Sequence, residues 1–472
     1  MKKQFPVAAT LAACTLSLLP LAAFAADTPE LAEIRSEIKQ MRESYEARLK
    51  ALEQKLAQEQ EKNARLQASA PAAAPTAPAA ASASVAGPGK ARTTMAGANQ
   101  FNPAISLILS GTYANLSQDP ETYRLPGSLP GSRIASEASA RGFGIGESEL
   151  TMSAAIDPHF SGQITFALDG NEAASVEEAF VDAKDLGAGV NMRVGRFFSS
   201  LGYQNSQHAH AWDFVDAPLA YQSLLGGQAS TDGVQLKWLA PLDRFLQFGA
   251  EFGKNNASQG SKNGISSGTL FAHLGDDIGS SGSWRLGASY WQSRADDLEI
   301  GADDINADGA SALVGQRRAK TWVLDGVFKW APDGNATRSY FKLQGEYLRR
   351  TETGNAALIL PDESAGDSAS YRSRQSGWYL QGIYQFSPNW RTGVRYDRLG
   401  LAQLTGASLP AGFLPDSGAS ARRTSLMLDW NRSEFSRIRL QLTRDKARSD
   451  VVDNQIFLQY IMSLGAHGAH SF

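Results

Sequence analysis

The chain has 472 residues, a formal net charge of -3, a mean hydropathy of -0.29, 44 glycines, 9% aromatic and 20% charged residues. That charge balance excludes a generally basic nucleic-acid binder, and beyond the N-terminus no apolar run approaches the roughly 20 residues a membrane helix needs. Strands that alternate lipid-facing and lumen-facing residues average to just such a middling hydropathy, and one barrel can use most of a chain this long.

The first residues, Met1-Lys2-Lys3, an apolar stretch from Val7 to Ala22 and then Ala23-Phe24-Ala25, read as a secretory signal over 1–25. Cys14 is the single cysteine and follows Leu11-Ala12-Ala13 in the manner of a lipoprotein box. Cleavage there would leave an apolar tail from Leu16 to Ala26, so a cut after Ala25 and a disulfide-free mature chain are expected. Export of such a chain predicts the outer membrane of a Gram-negative cell.

Residues 26–67 predict an α-helical coiled coil. Leu31, Ile34, Ile38, Met41 and Tyr45 step by three and four, and Leu49, Leu52, Leu56 and Leu66 continue the seam. The consecutive steps Met41–Tyr45–Leu49 make a stutter, and Asn63 falls on the seam, where a buried amide fixes register. Residues 68–94, rich in Ala, Pro and Ser, predict a disordered, semi-extended linker.

The remaining body, 95–472, predicts an all-β fold: a transmembrane antiparallel barrel of about sixteen strands. Alternating segments run from 104–117 to 453–464, and include 319–331, 338–350 and 374–387. Short connections such as Asp157-Pro158-His159, Asp185-Leu186-Gly187-Ala188 and Ser387-Pro388-Asn389 alternate with long ones: Gln118 to Phe143, the stretch after Phe198, Ala295 to Arg318, Thr351 to Ser373 and Leu401 to Ser420. Short periplasmic turns and long external loops are expected of such a barrel. An even strand number then places both barrel ends, and the coiled coil, on the periplasmic side. One face of the segments is apolar, with Val234, Leu236 and Trp238, or Trp322, Leu324 and Trp330. The other carries Gln235, Glu251, Asp325, Lys342, Glu346, Asp429 and several arginines, which a dry core would not tolerate.

The signal, coil, linker, strand pattern and terminal Phe472 together resemble the trimeric outer-membrane porins that carry an N-terminal periplasmic coiled-coil extension. Gly195-Arg196-Phe197-Phe198 leading into a long loop is similar to the phosphate-selective (O/P-type) porins. The resemblance implies a homotrimer with one pore per subunit and the third external loop folded inward. It also implies outer-membrane lipid and lipopolysaccharide around the barrel, small hydrophilic solutes passing through it, and a C-terminal segment read by the barrel-assembly machinery.

Permeation needs a constriction and no reaction centre, and no nucleophile or triad signature is present. The expected constriction comprises Arg193, Arg196, Tyr203, His208, His210, Trp212, Asp213 and Asp216, with Arg391, Arg395, Arg437 and Arg439 on the wall. Asp213 and Asp216 facing those arginines would set up a transverse field; alternatively the arginines pair with Glu149, Asp325, Asp397 or Asp429 and hold the wall. No resident cofactor is required. Two metal readings are carried beside this: His208 and His210 as zinc ligands, in the setting of a TonB-dependent zinc receptor, and calcium at Asp304-Ile305-Asn306-Ala307-Asp308-Gly309, which lacks the closing glutamate. His467 and His470 form a second histidine pair.

Overall fold

The structure, a computed structural model, describes residues 103–120, 123, 125, 141–168, 174–256, 264–296, 298–300, 311–359, 365–406, 420–448 and 451–465. The expected signal, coiled coil and linker, the acidic stretch 304–309, His467, His470 and Phe472 lie outside these residues.

Sixteen antiparallel strands form a closed barrel. The first eight are β1 (Ala104–Leu116), β2 (Ser148–Ala155), β3 (Phe160–Leu168), β4 (Ala174–Ala183), β5 (Val190–Phe198), β6 (Ser230–Leu239), β7 (Phe245–Asn255) and β8 (Ser267–Ile278). The rest are β9 (Gly282–Ala295), β10 (Ser311–Trp330), β11 (Tyr340–Ile359), β12 (Ala365–Ser387), β13 (Trp390–Leu399), β14 (Ala421–Ser433), β15 (Ser436–Lys446) and β16 (Asp453–Gly465). Each strand pairs with its neighbours in sequence, and closure comes from β1 against β16, in register from Ser106↔Gly465 to Leu116↔Gln455. Three short strands, Gly142–Ile145, Leu298–Ile300 and Gln403–Gly406, prolong the ladder beside β1, β10 and β12.

Alternation decides which face each residue takes. On β10, Trp322 and Leu324 are 55% and 54% exposed, whereas Val323 between them is 0% exposed. The expected outward residues of β7, β9, β13 and β14, among them Phe248, Phe252, Leu286, Val394 and Leu426, are exposed in the same way. Their inward neighbours, among them Gln235, Glu251, Asp325, Gln344, Glu346 and Asp429, are buried. A greasy exterior around a polar interior is the reverse of a soluble barrel and the pattern of a membrane-spanning one. Outward aromatics pair near both strand ends: Tyr290 with Trp322 at 4.7 Å and Trp378 with Tyr396 at 5.5 Å toward the long loops, and Trp390 with Trp430 at 6.3 Å toward the short turns. Trp322 and Trp330, both outward on β10, are separated by about 20 Å along the membrane normal for strands tilted near 40°, which matches an apolar band flanked by aromatic girdles.

The short connections are tight turns. In Asp157-Pro158-His159 the Asp157 carboxylate accepts the backbone N–H groups of His159 and Phe160, both at 2.8 Å, and so stands in for a backbone turn. On the opposite side β10, β11 and β12 are longer than the alternation predicts. Stretches expected as loops, Ala295 to Arg318 and Thr351 to Ser373, contain strand at 298–300, 311–318, 351–359 and 365–373, with Thr353↔Arg372 and Ala357↔Ser368 still paired. The inner side of these extensions buries polar side chains, Glu352 and Tyr371 among them, and is no greasy face. They are held instead by the ladder and by charge: Glu352 accepts from Arg350 at 2.7 Å and from the Tyr371 hydroxyl at 2.8 Å, with Arg317 at 3.1 Å.

Candidate functional site

The loop between β5 and β6, residues 199–229, folds into the barrel. Gly195 starts this change of course. It adopts φ 133°, where a Cβ would meet the Ala179 carbonyl, and beyond it Phe197 and Phe198 are both buried instead of alternating. Asn205 then ties the neck of the loop. Its amide donates to the carbonyls of Ser199 and Ala229, each at 2.8 Å, and its Oδ1 accepts the Ala229 N–H at 2.8 Å. Within the loop, a 3-10 turn spans Ala209–Ala211, and the seven-residue helix α1, Leu219–Leu225, is buried throughout and ends at Gly226 in the left-handed conformation.

Apolar side chains of the loop settle on apolar patches of the inner wall. Leu201, Leu219, Tyr221 and Leu224 pack with Trp291, Val323, Leu348, Tyr379 and Leu399, and Phe214 packs with Ile383 and Met427. Polar groups complete the docking, as buried groups must if they are not to be left unsatisfied. On β7, Glu251 accepts from the Ser199 hydroxyl at 2.5 Å and the Ser200 N–H at 2.8 Å. On β11, Glu346 accepts from the Gln204 N–H at 2.9 Å and the Tyr221 hydroxyl at 2.8 Å. Across the lumen the Val215 N–H donates to Gln441 at 2.8 Å and the Leu219 N–H to Asp397 at 3.1 Å.

The two loop aspartates touch the wall cations. Asp213 is 2.5 Å from the Lys342 ammonium and 2.9 Å from Arg391, and accepts from Gln381 at 2.8 Å. Burial opposes its charge, but Lys342 and Arg391 outweigh burial and hold its pKa down to about 2. Asp216 pairs with Arg395 at 3.0 Å and with Arg423, and accepts from Gln441 at 2.8 Å. Its pKa is lowered too, with burial again opposing and Arg395 and Arg423 prevailing. The anticipated transverse field between separated charges is therefore replaced by ion pairs in contact. The alternative pairing holds as well: Arg391 and Arg439 share Asp429 at 2.7 and 2.9 Å, and Arg395 bonds Asp397 at 2.9 Å. Several of these arginines also grip the loop backbone: Arg439 donates to Trp212 O at 2.9 Å, Arg395 to Asp216 O at 2.7 Å and Arg437 to His210 O at 3.3 Å.

Two expected residues stand elsewhere. Arg196 lies on the outer face, in register with Asp232 and on the same side as Val194 and Val234, and forms a bidentate pair with Asp232 at 2.6 and 2.9 Å. It therefore cannot line the lumen. Arg193 does face inward, but its fork closes on Asp182 at 2.7 and 3.0 Å and covers the Phe180 ring at 3.6 Å, with no bond to the loop. Tyr203 lies under Arg285, 5.1 Å from ring centroid to guanidinium. Trp212 donates its indole N–H to Gln207 O at 2.9 Å.

His208 and His210 meet carboxylates from two wall strands. His208 Nδ1 is 2.9 Å from Glu177 and 3.0 Å from Glu149, its Nε2 is 3.0 Å from Glu178, and His210 Nδ1 is 2.5 Å from Glu149. Burial opposes a charge on His208, yet these carboxylates raise its pKa well above the ordinary range. Glu177, Glu178, Glu346, Lys342 and Arg423 complete the site and were not among the expected constriction residues. Lys342 and Glu346 carried the signal of inward parity, whereas Glu177 is the extra residue of a bulge on β4 and reaches the loop beside Glu178, which alternation by itself does not reveal.

Below the loop, toward the short turns, lies a cavity of 1080 Å³. Lys329, Lys342, Arg391 and Arg437 line it together with Asp213, Asp277 and Glu434, and the loop residues Tyr203, Gln207 and His210 form its roof.

No protein-family model matches the chain. An uncharacterized protein of Aquifex aeolicus (strain VF5) is 31% identical over 404 residues, which is 79% of this chain and 80% of that protein. Among solved structures, the trimer form of OmpT, an outer membrane protein of Vibrio cholerae, is similar at 11% identity and a TM-score of 0.47, over 77% of this chain and 99% of that one. The outer membrane channel DcaP of Acinetobacter baumannii is similar at 11% identity and 0.43, over 77% and 97%. The anion-selective porin from Comamonas acidovorans is similar at 10% identity and 0.44, over 77% and 99%.

Proposed function

We propose, for a chain that belongs to one family with the uncharacterized protein of Aquifex aeolicus (strain VF5), that it is an outer-membrane porin of a Gram-negative bacterium. Small hydrophilic solutes or ions diffuse passively through a lumen narrowed by the loop 199–229, the third external one. The observation that carries this reading is the docking of that loop inside a closed barrel with an apolar exterior and a polar interior. Four cations and three carboxylates line the cavity below it, a near balance that predicts weak charge selectivity. A sixteen-strand wall with a loop of its own inside suits a diffusion channel, whereas energised metal receptors use about 22 strands around a plug. The zinc-receptor alternative is accordingly not favoured.

In this reading the subunits associate as a homotrimer in outer-membrane lipid and lipopolysaccharide, after insertion by the barrel-assembly machinery, with the coiled coil in the periplasm. Planar-bilayer recording tests the central point: the folded protein should give stable, open conductance steps in multiples of three. A folded, heat-modifiable barrel that gives no conductance refutes the proposal. Cross-linking of a chain lacking residues 26–92 separates the barrel's contribution to the trimer from the coil's.

A further inference from the structure

We infer that His208 and His210, together with Glu149, build a site for a first-row divalent transition metal of the zinc type, which fastens the inward loop to the barrel wall. The site ties the loop to the wall strand that carries Glu149, 61 residues from His210 in sequence, with Glu177 of a second wall strand beside it.

The donor atoms are already gathered. One ligand atom from each of Glu149, His208 and His210 lies within 4.8 Å of the others. The side chains are largely buried, at 1%, 18% and 6% exposure. Glu177 reaches His208 Nδ1 at 2.9 Å from the neighbouring strand, and Glu147, Glu149 and Glu177 form a second gathered group that shares Glu149. Around a tetrahedral zinc with bonds near 2.0–2.2 Å, adjacent donors stand about 3.3 Å apart. Glu149 Oε1 stands 2.5 Å from His210 Nδ1 and Glu149 Oε2 3.0 Å from His208 Nδ1, so a cation held between them needs these contacts to open by roughly 0.3–0.8 Å.

Three features favour a metal over a set of hydrogen bonds. His208 is oriented as a metal-bound imidazole is: with Nδ1 toward the site, its Nε2 meets Glu178 at 3.0 Å, and Glu178 is itself fixed by the Phe198 N–H at 3.0 Å. A carboxylate on the far nitrogen sets the tautomer and raises ligand basicity. Charge is the second feature. Glu147, Glu149, Glu177 and Glu178 bring four carboxyl groups to two imidazoles, and a divalent cation offsets the charge of those that ionise. The third is donor type: two imidazoles with one or two carboxylates suit zinc and its neighbours, whereas calcium takes six to eight oxygens. The His208 and His210 rings stack with centroids 5.6 Å apart and 29° between planes, which keeps both Nδ1 atoms on one side.

The test uses the full-length protein in detergent, stripped with chelator and titrated with zinc chloride by calorimetry, with bound metal counted by elemental analysis. One zinc per chain is expected, and calcium should not displace it. His467→Ala/His470→Ala should leave it in place, which separates this site from the C-terminal histidines. His208→Gln/His210→Gln and Glu149→Gln should abolish it, and Glu178→Gln, which removes only the orienting carboxylate, should weaken it ~10–100-fold. X-ray absorption at the zinc edge should show two imidazoles at about 2.0 Å. The inference is overturned if the wild type takes up no stoichiometric zinc. Uptake that survives His208→Gln/His210→Gln in protein that keeps its heat-modifiable mobility overturns it equally. Binding is read without conductance, so its failure is independent of whether the barrel is a pore.

Discussion

Replacing Asp213 with asparagine isolates one fastening of the inward loop. The carboxylate sits against Lys342 at 2.5 Å and Arg391 at 2.9 Å, and its pKa is held at about 2 against an ordinary value of 3.8. That depression corresponds to about 2 kcal/mol of stabilisation of the docked loop. Because the docked pKa is the lower one, this contribution is complete above the ordinary pKa and is lost as pH falls from about 4 toward 2. Removing one member of a buried ion pair costs 3–5 kcal/mol in general, but asparagine keeps an acceptor for Gln381, which supports the smaller figure. The assay is hydrogen exchange at the loop amides of Val215 and Leu219, which donate to Gln441 and Asp397. For local opening, 2 kcal/mol accelerates exchange by about 30-fold at pH 7, while amides in the β14–β15 ladder stay protected. Toward pH 2 the wild-type and Asp213→Asn protection factors should converge. A difference below threefold at pH 7, or one that persists unchanged at pH 2.5, would refute the reasoning.

Tyr221→Phe deletes a hydroxyl that donates to buried Glu346 at 2.8 Å, and should cost about 1.5–3 kcal/mol of loop docking, read as faster proteolysis within 199–229. Arg196→Ala should leave single-channel conductance unchanged, because that side chain lies on the outer face. Arg437→Ala, which lines the cavity below the loop, should shift the reversal potential in a salt gradient toward cations. Gly233→Ala introduces a Cβ that overlaps the Phe252 carbonyl across the β6–β7 ladder; heat-modifiable folded protein should fall sharply, and a wild-type yield would contradict the close approach.

Period-2 alternation was strong enough to define sixteen strands, their facing and the order of short and long connections, because each membrane strand must show grease to lipid and polar groups to the lumen. It failed at 311–315, 351–359 and 365–373, where strand pairing continues past the segments that alternate cleanly. The inward loop also left a trace. Val323, Leu348, Met427 and Phe457 are apolar at inward positions and are buried, and the runs Trp322-Val323-Leu324, Leu426-Met427-Leu428 and Ile456-Phe457-Leu458 break the alternation where the loop or other inner side chains cover the wall. Arg196 was misplaced because a motif match ignored parity: counted from Val194 and Asp232, it belongs outside.

By itself, then, the sequence determined the barrel, its strand number, its inside and outside, and the segment that differs from every other loop. Partnership was decided only in three dimensions. Asp213 meets Lys342 and Arg391 from 129 and 178 residues away, and His208 and His210 meet Glu149, Glu177 and Glu178 from two strands on the loop's own side. Alternation fixes the face a side chain takes, but not its height on the wall or which loop atom arrives there. Those depend on strand stagger and on the path of a loop whose docking is the sum of many distant contacts.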